Sequence, residues 1–555
     1  MKCFSELGRK VIFKALTITM LLGAFMVFMG GWAYAAEKTV AEQILDIMLA
    51  NHEISQAQYD ALLKQAEAEK MAAVQKIAEA QKAAAAQQAV VAPVERKPTD
   101  FTASWKNGLR FTTDDKAFDI HIGGRIQADV ADAEPNTILT NWANGKYKSG
   151  FSEPKSDGFG DQMRRVRLAI DGTVWSNIEF ISQIDFAPSY SVTTGITKGT
   201  STTSLTTGAA VTYADVWVGV KDIPYIGRIR VGQMYEPISL EQLTSDNWTT
   251  FMEKSLPVGG LVPNRNTGVV VQNTDCNDRM GWMVGYFFQQ QAATSSNGVA
   301  TDTTGDLFSP HLDATNVAAR FTGLPWYEDN GAKLLHIGIG YEHKFRSGSD
   351  ISTNPGTIDF KAAPEANMFN ALFDSGNFMA KGVDVIDPEI ALVYGPFSVQ
   401  AEYMYAAAND VTDTSGKFLK GATTHDANFS GWYAYASYFI TGEHRMYNKT
   451  TTPSDYQAAF GRIIPNCNFN PLHGGIGAWE VAFRVSNMDV DDINAGFNGG
   501  NETDYTFAVN WYLNPNVMVK MNYIYAHVNA HSDGYGDLLS NGNDNIFETR
   551  FQIAF

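Results

Sequence analysis

The sequence predicts an all-β fold, a transmembrane antiparallel β-barrel of about sixteen strands preceded by a short α-helical segment. Three observations predict it: the chain ends on a two-faced strand, period-two alternation recurs from Trp105 onward, and short and long connections alternate between the strands. In the last strand Phe547, Phe551, Ile553 and Phe555 share one face, and Glu548, Arg550, Gln552 and Ala554 the other. Such a strand meets two solvents. An aromatic in the last position, where an ordinary strand frays, fits a strand sealed into a closed barrel with its apolar side to lipid and its polar side to a water-filled lumen.

Taken in chain order, Lys2, Arg9, Lys10 and Lys14 precede an apolar run from Ala15 to Met29, and Ala33-Tyr34-Ala35 is a small-residue cleavage site. Residues 1–35 therefore read as an export signal. A retained N-terminal helix competes, because the apolar run approaches spanning length; the Ala-x-Ala site argues against it. Cys3 precedes the apolar run and cannot be a lipoprotein attachment site.

Residues 36–97 differ from all that follows. Ile44 to Leu49 is a short amphipathic turn, and Ser55 is placed to cap a helix running to about Ala89. Leu63, Ala66, Lys70, Ala73, Ile77, Ala80 and Ala84 follow an approximate heptad, weakened by Lys70 and by how little area Ala buries. The segment reads as a periplasmic coiled coil on an oligomeric barrel, with a solvated single helix or linker as the alternative. Pro93 and Pro98 mark the boundary, so the barrel occupies 98–555.

Composition excludes other classes. Beyond the signal no run of eighteen apolar residues occurs and the mean hydropathy is -0.19, so helical spans are excluded, whereas alternating barrels escape such a test. The net charge of -18 becomes -21 once the signal, with four basic residues and Glu6, is removed. That acidity argues against a nucleic-acid partner. Only Cys276 and Cys467 remain in the mature chain, too few for a disulfide scaffold, although one bridge stays open. Neither has a metal-ligand partner at useful spacing, and His425, His444 and His473 are scattered, so no metal or cofactor is expected. No G-x-S-x-G elbow appears, which argues against an enzyme. The acidic stretches Asp489 to Asn494 and Asp533 to Asn545 read as hydrated loops sooner than Ca2+ sites.

In the barrel, Phe118, Ile120, Ile122, Ile126, Ala128 and Val130 alternate with Asp119, His121, Arg125, Gln127 and Asp129. The first set should face lipid. The pattern returns in Val166 to Ile170, Phe397 to Tyr405, Trp479 to Val485 and Tyr505 to Trp511. A charge turned to mid-membrane lipid costs about 2–4 kcal/mol, so these registers are strongly specified. Short turns near 171–177, 222–227, 273–281, 394–396 and 513–516 alternate with long polar loops near 131–162, 188–211, 235–266, 290–313 and 346–386. Short turns would be periplasmic. The segment Thr441 to Gly475 then falls on the periplasmic side and is unusually long for it.

Arg164-Arg165-Val166-Arg167 should open the second strand and Arg228-Ile229-Arg230 the fifth, and alternation points Arg125, Arg165, Arg167, Arg228 and Arg230 into the lumen. A column of guanidiniums offers forked donors to oxyanions. Pairing with inward carboxylates such as Asp119, Asp129, Glu179 and Asp185 explains the same arginines without any ligand, and spacing alone favours that explanation.

At these residues the chain resembles the phosphate-selective porin O and P family. The resemblance rests on Phe118 to Asp129, Met163 to Leu168, Gly227 to Gln233 with Glu236 to Glu241, Phe251 to Leu256, Gly395 to Tyr403, Gly477 to Glu480, Val509 to Tyr512 and the terminal strand. It implies trimers of sixteen-stranded barrels whose arginine ladder passes anions through a constriction. By position, Arg125, Arg164 and Arg165 match ladder arginines, Asp215 a carboxylate near the binding site, and Lys254 an expected basic residue. Where the family carries a central pore lysine this chain has Asn247 with Asp246 beside it, and the 346–386 loop has Arg346, Lys361 and Lys381 against five acidic residues. Each missing basic group about 4 Å from an anion forfeits about 1–4 kcal/mol, so strong phosphate capture is not expected.

The expectation is thus a homotrimeric outer-membrane porin, in contact with outer-membrane lipids, that conducts small hydrophilic solutes and ions and leans toward anions. Its competitors are a non-selective or cation-tolerant channel and, from another class, a structural tether reaching peptidoglycan or a periplasmic protein through the N-terminal helix.

Overall fold

The structure, a computed structural model, describes residues 100–139, 158–187, 189–197, 200–208, 211–288, 314–346, 358–369, 371–376, 378–413, 425–531 and 538–555, with Ser55, Ala57, Gln58, Ala61 and Lys64. The chain divides into two units, Met1–Arg96 and Lys97–Phe555. In the first unit the expected export signal and nearly all of the expected helix lie outside the described residues. Ala57, Gln58, Ala61 and Lys64 are helical, and the Ser55 backbone N–H donates to Oε1 of Gln58 at 2.9 Å, one half of a capping box.

The second unit is the barrel. Its strands are β1 (Asp119–Pro135), β2 (Gly158–Val174), β3 (Ile178–Asp185), β4 (Thr212–Ile223), β5 (Gly227–Tyr235), β6 (Arg265–Asp275), β7 (Met280–Phe288) and β8 (Ala314–Glu328). They continue as β9 (Lys333–Arg346), β10 (Gly382–Tyr394), β11 (Phe397–Asn409), β12 (Ala427–Phe439), β13 (Ala478–Asp492), β14 (Phe497–Asn514), β15 (Val517–His531) and β16 (Leu538–Ala554). Each pairs antiparallel with the next, and β16 pairs back onto β1 from Asp544 opposite Pro135 to Ala554 opposite Arg125, closing the sheet. The main sheet counts eighteen strands because a hairpin, Phe101–Trp105 with Leu109–Thr113, pairs with β1 at Asp119–Ile122, beyond the point where β16 stops.

Phe555 seals that seam. Its backbone exchanges hydrogen bonds with Gly124 at 2.7 and 2.9 Å, and its ring stacks on Trp105 with centroids 6.3 Å apart. The chain end is therefore tied down on both sides and does not hang free.

Alternation holds as expected: Ile126, Leu168, Ile170, Val231, Val269, Phe551 and Ile553 are exposed outward, while Gln127, Asp129, Arg230, Gln272, Arg550 and Gln552 are buried inward. Some limits differ. β1 extends to Pro135 and β2 begins at Gly158, so Arg164 to Arg167 lie in mid-strand and do not open it. The added residues include Asp132, Glu134 and Asp161, which break the hydrophobic alternation that marks the rest of each strand. Cys276 and Cys467 are separate, exposed thiols.

The lumen is not polar all round. The β5–β6 loop, residues 236–264, turns inward and carries helices α1 (Leu240–Leu243) and α2 (Leu256–Leu261). Ile238, Phe251, Leu256, Val258 and Leu261 of this loop, with Phe360, Phe373 and Phe378 of the β9–β10 loop, pack on Val383, Val385, Met404, Ala406, Phe429 and Tyr433 of β10–β12. Each such side chain contributes about 1.5–3 kcal/mol on burial. The apolar seat fixes both loops against one wall; a second apolar cluster, with Ile181, Trp217, Met234 and Val270, lies on β3 to β6, and the inward positions of β1 and β2 around Arg125 and Arg165 stay polar.

The β12–β13 connection, residues 440–477, lies at the short-turn end, as its place in the alternation requires, and folds up into the barrel. Arg320 donates to the Ala458 carbonyl at 2.8 Å, His336 lies 2.7 Å from the Tyr447 hydroxyl, and the Arg445 guanidinium sits 3.5 Å over the Phe460 ring.

Candidate functional site

The polar wall brings its arginines together by strand geometry. Inward positions of β1 and β2 deliver Arg125, Arg165 and Arg167. In the β1–β2 register Gln127 faces Arg165 and Ala128 faces Met163, which leaves Arg164 as the extra residue of a bulge. The bulge re-aims Arg164, so that it also reaches the lumen and the inward loop.

Two carboxylates of that loop meet them. Asp246 is ion-paired with Nη1 of Arg125 and Nε of Arg165, and lies 3.4 Å from Nη1 of Arg167. Arg167 turns its Nε to Asp185 at 2.6 Å. Glu253 takes Arg164 in a forked pair at 2.9 and 3.1 Å, and its Oε1 lies 2.6 Å from Arg550 of β16 and 3.9 Å from Arg165. Arg550 in turn grips Asp129 with two bonds of 2.7 Å. Burial pushes the Glu253 carboxyl up, but the Arg164, Arg550 and Arg165 guanidiniums outweigh it and hold the group well below the usual carboxylate range.

The remaining expected residues are placed nearby but differently. Asp215 binds Arg265 at 2.8 and 2.9 Å, and that guanidinium lies 3.9 Å over the Tyr235 ring. Lys254 donates to the Gln242 carbonyl at 2.7 Å and the Glu241 carbonyl at 3.2 Å and lies 5.1 Å from the centre of the same Tyr235 ring; burial holds its pKa below the ordinary lysine value. Arg228 and Arg230 do point inward, yet they do not continue the Arg165 and Arg167 column. Arg228 donates to the Thr451 carbonyl at 2.7 Å and Arg230 to the Thr452 carbonyl at 2.8 Å, so both hold the 440–477 segment, with Glu179 as their counter-charge. The segment's 38 residues, 440–477, lie between strands whose own pattern carries no sign that it would reach this wall.

The four inward carboxylates named from alternation are paired: Asp119 with Arg110, Asp129 with Arg550, Glu179 with Arg228, and Asp185 with Arg167. A cavity of about 600 Å³ lies below the cluster, between Arg125, Asp215, Arg228 and Arg265 of the wall, Asp246 of the loop and Asp455 of the 440–477 segment. Chemically the wall offers guanidinium forks suited to oxyanions, and the loop places its own carboxylates in those forks.

Sequence reasoning missed several contributors. Arg484 of β13, which binds Glu241 at 2.9 Å and Glu365 at 2.6 Å, was available from the Trp479 to Val485 alternation. Lys520 of β15, bonded to the Thr249 carbonyl, was available from the same reasoning on Val517 to Met521. Asp246 and Glu253 carry no local periodic signal as partners, since an irregular loop has none, and Arg265, the first residue of β6, precedes the buried positions Asn266, Gly268 and Val270 that mark the inward face of that strand.

A closed sixteen-strand barrel, narrowed by an inward loop whose carboxylates meet arginines of the wall, is the architecture of a porin-type channel. The Phosphate-selective porin O and P family model matches residues 120–555, and the chain belongs to that family; its barrel belongs in the bacterial outer membrane. Porin O of Pseudomonas aeruginosa is 25% identical over 485 residues, covering 82% of this chain and 93% of that one. An uncharacterized protein of Caulobacter vibrioides is 23% identical over 430 residues, covering 77% and 71%. Among solved structures, the anion-selective porin from Comamonas acidovorans (TM-score 0.41, 11% identity) covers 79% of this chain and 99% of its own. The outer membrane channel DcaP of Acinetobacter baumannii (TM-score 0.42, 11% identity) covers 79% and 97%.

Proposed function

We propose that this porin is a diffusion channel for small hydrophilic solutes and inorganic ions, weakly anion-preferring, without high-affinity phosphate capture. The observation that carries the reading is the pairing of Asp246 with Arg125, Arg165 and Arg167. A phosphate that would take this seat must displace a tethered carboxylate, which competes without paying the entropy of association. Arg164, reached by Glu253, is restrained in the same way. The positive wall still outlines the path, and Arg125, Arg164, Arg165, Arg167 and Arg265 with Asp215 are its pore-lining set; Lys254 shapes the loop, and Arg228 and Arg230 shape the lower mouth.

The assembly is proposed to be a homotrimer, a reading that rests on the family. The test is single-channel recording in chloride with phosphate added. Open channels whose chloride current persists at sub-millimolar phosphate are expected; block by micromolar phosphate would overturn the proposal. Unheated electrophoresis with cross-linking reads the trimer.

A further inference from the structure

On the wall opposite the arginines, β10 and β11 bring three carboxylates together. The ligand oxygens of Asp387, Glu389 and Glu402 all lie within 4.8 Å of one another, and the three residues are 0%, 4% and 2% exposed. Glu402 and Glu389 are anchored. Glu402 accepts the backbone N–H of Glu241 at 2.8 Å and of Leu240 at 3.2 Å, the first turn of α1, together with the Tyr433 hydroxyl. Glu389 receives Arg320 at 2.8 Å and His336 at 3.0 Å, and a Cβ on Gly338 would stand 2.1 Å from its Oε1, so a larger residue there would push the carboxylate aside.

Asp387 is different. Neither of its carboxylate oxygens meets an N–H or hydroxyl donor, and its hydrogen-bonding neighbour is the Glu402 carboxyl, although the side chain is fully buried and aimed at the other two. Three carboxylates against one guanidinium leave an excess of two negative charges with His336 neutral, in a place where an uncompensated charge costs several kcal/mol.

We propose that Asp387, Glu389 and Glu402 bind a hard divalent cation, Ca2+ in preference to Mg2+, behind the constriction loop. Oxygen-only donors select this class of ion. Ca2+ accepts a cage of protein oxygens, whereas Mg2+ gives up its water reluctantly and demands near-ideal octahedral geometry, and these three carboxylates are closed to solvent. Because Glu402 also caps α1, the ion would fasten the inward loop to the wall, and its loss would loosen the constriction.

All three carboxylates are closed to solvent, so loading is done during refolding. The full chain, free of lipopolysaccharide, is refolded in detergent with CaCl2, desalted and analysed for calcium, alongside D387N and D387A. The expected result is one more Ca2+ per chain in the wild type than in either variant, with tenfold excess Mg2+ unable to displace it, and a Ca2+-dependent rise in unfolding temperature confined to the wild type. Equal calcium content in wild type and folded variants would overturn the proposal. So would a wild type that retains none while D387N is more stable irrespective of Ca2+, the outcome if two carboxyls merely share a proton. Both outcomes are independent of conductance, so failure here leaves the channel reading standing.

Discussion

The Asp246 carboxylate lies 3.4 Å from the Arg167 guanidinium, and in the same position it pairs with Arg125 and Arg165. An acid on the inward loop thus occupies the seat that three strand arginines present to a passing anion. It follows that the selectivity of this channel depends less on how many arginines line the wall than on which of them have a tethered partner.

Arg165 and the Arg228–Arg230 pair should behave differently when neutralised. R165Q removes positive charge from the constriction and is expected to lower the anion-to-cation permeability ratio by about fivefold, about 1 kcal/mol at a few ångströms. R228Q with R230Q removes charge-assisted bonds to Thr451 and Thr452, each worth about 1.5–3 kcal/mol. The double variant should free the 440–477 segment, giving larger and noisier single-channel currents with a smaller change in selectivity. Bilayer recordings on the two variants check this.

Glu253 ties β2 and β16 to the loop through Arg164 and Arg550. E253Q is expected to lower stability toward urea by about 1–3 kcal/mol, since Arg550 keeps Asp129 while Arg164 loses its carboxylate. The pH dependence has a defined sign. The folded pKa of Glu253 is depressed by those arginines, so its stabilisation is present above the unfolded value near 4.5 and is lost as pH falls through the lower folded value. Unfolding midpoints of wild type and E253Q should therefore differ by a constant amount from pH 8 to 5 and converge only in stronger acid.

Trp105 and Phe555 close the seam between the hairpin and the last strand. W105A is expected to cost about 1 kcal/mol, the scale of an aromatic pair, and to destabilise that seam before the remainder of the barrel. Hydrogen exchange at Gly124 and Phe555, whose amides bond each other's carbonyls, should rise first.

Much of the barrel was legible because period two is a physical constraint: a strand between lipid and water cannot slip by one residue without burying charge in lipid. Arg125, Arg165, Arg167, Arg228, Arg230 and Arg550 point inward for that reason, and the side of the 440–477 segment followed from counting turns. Arg164 was not legible from alternation, since a bulge breaks the period there; only the family resemblance marked it. The apolar inner faces of β10 to β12 were equally hidden. Met404 and Ala406 look like ordinary neighbours of Tyr403 and Tyr405 until the loops that cover them are placed. Nor does any local pattern say where Asp246 and Glu253 land, because the path of the inward loop is set by Phe251, Leu256 and Leu261 seating on the far wall.

The most direct measurement is the zero-current potential across a planar bilayer in a KCl gradient, for wild type and D246N. A weakly anion-selective potential is expected for the wild type, and D246N, by releasing Arg125, Arg165 and Arg167, should raise the chloride-to-potassium permeability ratio at least about fivefold and introduce phosphate block. A cation-selective wild type, or a folded D246N variant with unchanged potential and no phosphate block, would contradict the account.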